Sequence, residues 1–400
     1  MNINATTIRC EHDTALFESL LKNREVKNAN TRLERVLKEG PLGTRRRLLS
    51  SSVHLSKRMA PDFRRMADEC SEKLGLELPL ELYVYSSPQL NAACFKPEDG
   101  RLFVIFSSSL LEGFEPAELR FVMGHELGHH VYQHHDIPIG YMLKGERPPS
   151  PRLALNLFAW SRYAEVSADR AGAHCAQDFE ATARALFKLA SGLTTDRIKF
   201  RLDDFLNQVE EMQLTDEEPG QGAPEEDWFS THPFSPLRVK ALQHYHDSKL
   251  AGGSGSKEEL ELSVQSLMSL MEPSYIEGRT DEAELMRRVL FGGAIAVANA
   301  VDGISEQEAA VFEKFFGEGS FSDALDVDKI IKELPSRARK AREKLSVPQR
   351  MQVLRDLCTV ARAEGKAAEE ERKVLLEISS QLEVGDGFVE QVLTQPVEPD

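Results

Sequence analysis

The sequence predicts an α+β chain: a mostly helical first domain built around a small β-sheet, then an all-α domain. Three observations predict it. Within the first 250 residues only 80–86 and 102–107 read as strands, and both are short. Residues 115–132 and 152–176 carry apolar side chains at helical spacing. After Gly252-Gly253-Ser254-Gly255-Ser256, helical periodicity continues to residue 393 with little strand character. Four hundred residues suffice for two or three domains, each with its own core.

Taken in order, residues 1–30 carry little pattern and read as an N-terminal arm. From residue 31 to 74 the chain reads as helices, broken at Pro41 and Gly43, with Pro61 opening the next. Residues 80–86 (LELYVYS) alternate as a strand does; the turn Pro97-Glu98-Asp99-Gly100 precedes the second strand, LFVIFS. Residues 136–151 form a Pro- and Gly-containing loop between the two central helices. Residues 203–227, with six acids from Asp216 to Asp227 among Pro219, Gly220, Gly222 and Pro224, read as a coreless surface loop. The expected organisation is an arm (1–30), a first domain (31–250), a flexible linker (251–257) and a helical domain (258–400).

The formal net charge of -16 disfavours nucleic acid as a partner. Five scattered cysteines without a C-x-x-C pair offer no disulfide framework and point to a reducing, cytoplasmic location. The most apolar run, 289–301, is interrupted by Gly292, Gly293 and Asn299 and falls short of the ~20 residues needed to span a bilayer, so no membrane insertion is expected. Residues 1–17 lack the apolar segment of a signal peptide.

The chemistry concentrates at His125-Glu126-Leu127-Gly128-His129. Histidines four apart share one helical face, so both imidazoles can reach one metal ion, and zinc suits such a pair. Glu126, beside the first histidine, is placed to take a proton from a water at that metal. Gly128 suggests that substrate or another backbone comes close. A hydrolytic zinc site needs a third protein ligand and an open position. Two candidates compete. His135 stands ten residues after His125, though Tyr132 occupies the position where such a spacing calls for Gly. Glu165 lies on the second central helix with Asp169 on the same face, so Glu165 could ligate while Asp169 orients a histidine. An acidic helix face paired with Arg162 and Arg170 accounts for these two acids equally well in isolation.

The ordered set H-E-L-G-H, E-V-S-A-D (from Glu165) and T-H-P-F-S-P-L-R (from Thr231), preceded by Asn91-Ala92-Ala93-Cys94-Phe95, resembles the zinc peptidase family that contains HtpX and the CAAX prenyl endopeptidase. The resemblance implies a zincin-type, mostly helical metallopeptidase domain. It implies one zinc per chain on His125, His129 and Glu165, with Glu126 as general base and Asp169 behind a ligand. It also places His232 and Arg238 near the metal, His232 as a donor to the oxyanion and Arg238 orienting Asp169 or the substrate. The second half resembles the TerB-like helical domain: Ala300-Val301-Asp302-Gly303, followed by Ser305, recurs loosely at Ala363-Glu364-Gly365. These acidic turns could hold a divalent ion, but helix capping accounts for them, as in the Ser305/Glu308 capping box. The expectation is therefore a zinc metalloendopeptidase acting on protein or peptide substrates, its helical domain meeting a protein partner. The competing expectation is a latent or inactive peptidase fold serving as a stress-associated binding scaffold.

Overall fold

A computed structural model describes residues 4–39, 43–144, 149–195, 197–215, 227, 230–271, 275, 281–301, 305–316, 326–345, 347–363 and 365–394. The chain divides into two compact units, Met1–Met212 with Trp228–Met268, and Gln213–Asp227 with Ser269–Asp400.

The first unit is organised by two helices, Pro116–Val131 (the motif helix) and Pro151–Ala176 (the acid helix). Pro116 at the first position opens the motif helix, and Glu118 Oε2 accepts from the Glu115 N–H at 2.8 Å. Glu118 is itself fully buried and held by Arg184 (2.6 Å) and Lys188 (2.8 Å). The two helices touch through small residues. A Cβ on Gly124 would lie 2.7 Å from Cys175 Cβ, and one on Gly128 would lie 2.8 Å from Ala171 Cβ. The backbone expected near Gly128 is thus that of the acid helix. Any side chain there would push the helices apart.

The sheet has four strands in the order β1-β2-β4-β3: β1 (Val53–His54), β2 (Leu80–Tyr85), β3 (Ala92–Glu98) and β4 (Arg101–Ser107). β2 and β4 run parallel, in register from Leu80↔Leu102 to Tyr85↔Ser107, while β1 and β3 are antiparallel edges. Asp99 (φ 50°) and Gly100 (φ 69°) close the β3–β4 hairpin, the backbone a tight two-residue hairpin turn requires. β1 and β3 were not expected as strands. β1 is only two residues long, and β3 contains Pro97 inside a register shift, where an edge strand tolerates a missing N–H.

Three further expectations are corrected. Of residues 1–30, read as a partly disordered or short helical arm, residues 4–30 are largely helical and packed on the first unit. Helices Ala5–Ile8 and Glu11–Lys22 bury Ile8, Phe17 and Leu20, and Phe17 packs beside Trp160 of the acid helix. The acidic stretch from 203 begins as helix Leu202–Thr215, seated by Phe205, Leu206 and Val209; residues 216–226 lie outside the described residues. Gly252–Ser256 is an ordered turn rather than a flexible linker. The N–H groups of Gly253 and Gly255 donate to Ser248 O and Asp247 O (2.8 and 2.9 Å), and a Cβ on Gly253 would fall 2.2 Å from Asp247 O. The helix that follows, Lys257–Ser269, therefore returns to the first unit, where Glu261 takes a 2.6 Å ion pair from the buried Arg170. The first unit ends at Met268, not at 250.

Among the described residues the regular elements of the second unit are helices: Asp281–Ala298, Glu306–Phe316, Val327–Lys344, Val347–Ala361, Glu369–Gln381 and Asp386–Thr394. Its core includes Leu290, Ile295, Leu354, Leu357 and Leu375. The apolar run 289–301 largely forms the buried end of helix Asp281–Ala298, which accounts for its hydrophobicity. Among the described residues no helix is long and apolar enough to cross a membrane. The Ser305/Glu308 capping box is present, at 2.9 and 3.2 Å. Asp302, Gly303 and Glu364 of the acidic turns lie outside the described residues.

Candidate metal centre

The close packing of the two central helices brings three side chains to one point. His125 Nε2 and His129 Nε2 lie 3.2 Å apart. Glu165 reaches both from the acid helix, Oε1 3.3 Å from His129 Nε2 and Oε2 3.6 Å from His125 Nε2. One turn further along, Asp169 Oδ1 lies 2.9 Å from His125 Nδ1. Arg238, on helix Ser235–Asp247, forks onto both oxygens of Asp169 (2.6 and 2.8 Å) and passes 3.4 Å from Glu165 Oε2.

Protons can be assigned from this geometry. The Arg238 guanidinium holds Asp169 below the usual carboxylate range despite burial, which works the other way. An ionised carboxylate only accepts, so His125 donates through Nδ1–H, and its Nε2 is the nitrogen that faces His129 and Glu165. Glu165 is also held well below its ordinary value. Burial opposes this, but His232, His129, His125 and Arg238 outweigh it.

His129 has a separate support. Its Nδ1 lies 2.9 Å from His134 Nδ1, and His134 Nε2 lies 3.0 Å from Asp13 Oδ2 on the N-terminal helix. Burial pushes His134 down to about 4 against the pull of Asp13, so its ring is neutral at pH 7. Asp13, fully buried, stays ionised. Burial would raise its pKa, but His134 and Arg9 lower it far more. Asp13 therefore accepts from His134 Nε2–H, which leaves His134 Nδ1 as an acceptor. His129 must then donate through Nδ1–H, which leaves its Nε2 as the nitrogen facing His125 and Glu165.

Two imidazole nitrogens and a carboxylate thus converge, their ligand atoms all within 4.8 Å of one another. Glu165 Oε2 is buried without a hydrogen-bond partner. Two histidines with one carboxylate are a donor set that zinc takes in hydrolytic sites. The residues fit the metal.

The remaining candidates separate. Glu126 is half-buried on the motif helix. Its charge helps hold His129 above the ordinary imidazole value, alongside Glu165 and against burial. It also adds to burial in raising the Cys94 thiol on β3. His232 stands at the rim, its side chain 64% exposed, with Nε2 3.6 Å from Glu165 Oε1 and Nδ1 2.9 Å from Thr231 Oγ1. His135 is not part of the cluster: its Nε2 lies 2.8 Å from the carbonyl of Cys94. The motif helix stops at Val131, and Gln133 takes a left-handed conformation (φ 59°) that turns His134, rather than His135, back toward the ligands. Asp13 and His134 were missed in the sequence. The signal available was a further histidine five residues after His129 and an acid inside an otherwise amphipathic N-terminal helix.

Two crossed helices carrying H-E-x-x-H and a facing glutamate beside a small mixed sheet define a metallopeptidase-type site. The profile of peptidase family M48 matches residues 57–145 and 151–246, and that of tellurite resistance protein TerB matches 287–393. A protease HtpX homolog of Ralstonia nicotianae is 30% identical over 230 residues, covering 48% of this chain and 77% of that protein. The plastoglobule-localized metallopeptidase 48, chloroplastic, of Arabidopsis thaliana is 30% identical over 223 residues, covering 50% of this chain and 61% of that protein. The chain belongs to peptidase family M48 and carries a C-terminal TerB domain. No solved structure matches it.

Proposed function

We propose that the first unit is a zinc-dependent endopeptidase, with one zinc per chain held by His125, His129 and Glu165, cutting protein or peptide substrates in a reducing, cytoplasmic setting. The observation that carries this reading is the convergence of His125 Nε2, His129 Nε2 and Glu165 at 3.2–3.6 Å beside a half-exposed Glu126. Held by His125, His129 and Glu165, a zinc ion would supply Lewis-acid polarisation of the scissile carbonyl and a lowered pKa for water. Glu126 takes the proton of the attacking water and passes it to the leaving amine. His232, at the rim, donates a hydrogen bond to the carbonyl oxygen as negative charge develops on it. Arg238 is buried against Asp169 and acts as a positioning residue, holding the acid that orients His125. The protease and metallopeptidase names of the relatives favour the same reaction class. The TerB domain is read as the surface that meets a protein partner.

The test is Glu126→Gln, which keeps shape and removes the base. Zinc content and fold should match wild type, while hydrolysis of an unfolded protein substrate falls by about 10²–10⁴-fold. Full activity in zinc-loaded Glu126→Gln would remove Glu126 as base. A zinc-loaded wild type without hydrolysis would favour the scaffold reading.

A further inference from the structure

The metal ligands are supported from two sides, and the two supports differ. His125 leans on Asp169, a neighbour on the acid helix that the motif pattern already implies. His129 leans on His134 and Asp13, which the motif does not contain. Asp13 sits on the first long helix of the chain, in residues that carry no motif, yet its carboxylate is among the most elaborately held groups in the first unit. Oδ2 accepts from Ser167 Oγ at 2.7 Å and from Arg9 Nε at 2.7 Å; Oδ1 accepts from Trp160 Nε1 at 3.0 Å. His134 is enclosed by Trp160 and Tyr132 rings, with centroids 5.8 and 5.6 Å away. The Tyr132 hydroxyl donates to Ala5 O at 2.9 Å, so the end of the motif helix is stapled to the chain's N-terminal segment.

A buried, charged carboxylate is costly unless its geometry is put to use. Here every partner of Asp13 fixes the orientation of one oxygen, and Oδ2 faces His134 Nε2. A metal on His129 Nε2 leaves that ring's proton on Nδ1, 2.9 Å from His134 Nδ1; His134 then carries its own proton on Nε2, 3.0 Å from Asp13 Oδ2, which is placed to accept it. Reversing the pattern at Asp13 would place a proton on His129 Nε2, where the metal should bind.

We propose that Asp13 and His134 are positioning residues of the metal centre: through a two-step hydrogen-bond relay they fix the ring and tautomer of His129, and the N-terminal helix is a working part of the site. This rests on the zinc reading above. It goes beyond that reading by adding residues to the site and by assigning the N-terminal helix a role other than packing.

The test uses the full chain. Zinc affinity is measured by chelator competition, the absorption bands of the cobalt-substituted protein are recorded, and the melting temperature is taken without metal. His134→Phe keeps a ring between Trp160 and Tyr132 but removes the acceptor for His129; zinc affinity should fall 10–100-fold and the cobalt bands should shift. His134→Gln, whose amide oxygen can accept from His129 Nδ1–H, should recover most of that loss. Asp13→Asn can present an N–H to His134 and release the tautomer, so it should weaken zinc as well; it carries the test if His134→Phe fails to fold. A purely structural role would lower the metal-free melting temperature and leave affinity and cobalt bands within twofold of wild type, and that result overturns the proposal while leaving the zinc site standing. A wild-type protein that retains no zinc would overturn the site and the relay together.

Discussion

Asp356, in the core of the second unit, is a carboxyl whose burial is nearly unopposed. Burial raises it from 3.8 to about 6, with Arg355 and the Tyr275 hydroxyl (2.5 Å) pulling only partly the other way. Its folded pKa lies above its unfolded one, so folding favours the protonated acid. That contribution is complete below about pH 4, shrinks between about pH 4 and 6, and is gone above. A shift of this size corresponds to about 3 kcal/mol. Asp356→Asn stays neutral and still accepts from Tyr275. It should stabilise the second unit at pH 7.5 by about 1–3 kcal/mol and flatten its stability between pH 4 and 6. Hydrogen exchange of helix Val347–Ala361 at the two pH extremes measures this; a less protected Asn variant at pH 7.5 would contradict it. Residues of this kind were not legible in the sequence, because an isolated Asp on a helix gives no sign of what will enclose it. The residues proposed to hold the metal stand out in the sequence for the opposite reason. His125, Glu126 and His129 are placed by helical geometry alone, and Glu165 with Asp169 by the same i, i+4 rule. Asp13 reaches His134 across 121 positions of sequence, and only the tertiary fold brings them together.

The two central helices do their work by approaching closely, and Gly128 sets the distance. Gly128→Val would press a branched side chain into Ala171 and the Ala168 backbone, at 2.8 and 3.3 Å from the new Cβ alone. Overpacking of this kind costs typically about 1–3 kcal/mol. Because Glu165 and the histidines sit on opposite sides of this contact, separation should also weaken zinc binding. Calorimetry with and without zinc should show a lower melting temperature and a smaller stabilisation by the metal; an unchanged zinc increment would mean that the contact does not govern the site. Both helices were read from the sequence to within a residue or two, since strong periodicity and proline at the first position mark them. β2 was legible from its alternation (LELYVYS) and β4 from the apolar run LFVIFS behind a Pro-Glu-Asp-Gly turn. β1 and β3 were not, because edge strands owe their pairing to neighbours rather than to their own pattern. Helix Leu202–Thr215 was masked by the acids and glycines that follow it.

The sequence places the division of the chain at residues 251–257, whereas the first compact unit runs on to Met268. Glycines 252, 253 and 255 look like a linker in sequence, but they close a turn that sends helix Lys257–Ser269 back to the first unit. Glu261 there meets Arg170, next in sequence to Asp169, and accepts from the Glu11 N–H at 3.2 Å. A chain ending at Met268 should therefore fold and bind zinc, whereas one ending at Leu250 leaves Arg170 buried without its partner, at a cost of about 3–5 kcal/mol. Urea denaturation of the two truncated chains compares them directly; equal midpoints would show that the helix adds nothing to the first unit. The central claim remains the metal site itself. Its most direct test is elemental analysis of the purified full chain beside Glu165→Ala and His135→Ala. The predicted result is one zinc per wild-type chain, retained in His135→Ala and lost or sharply reduced in Glu165→Ala. Zinc retained in Glu165→Ala and lost in His135→Ala would contradict the account.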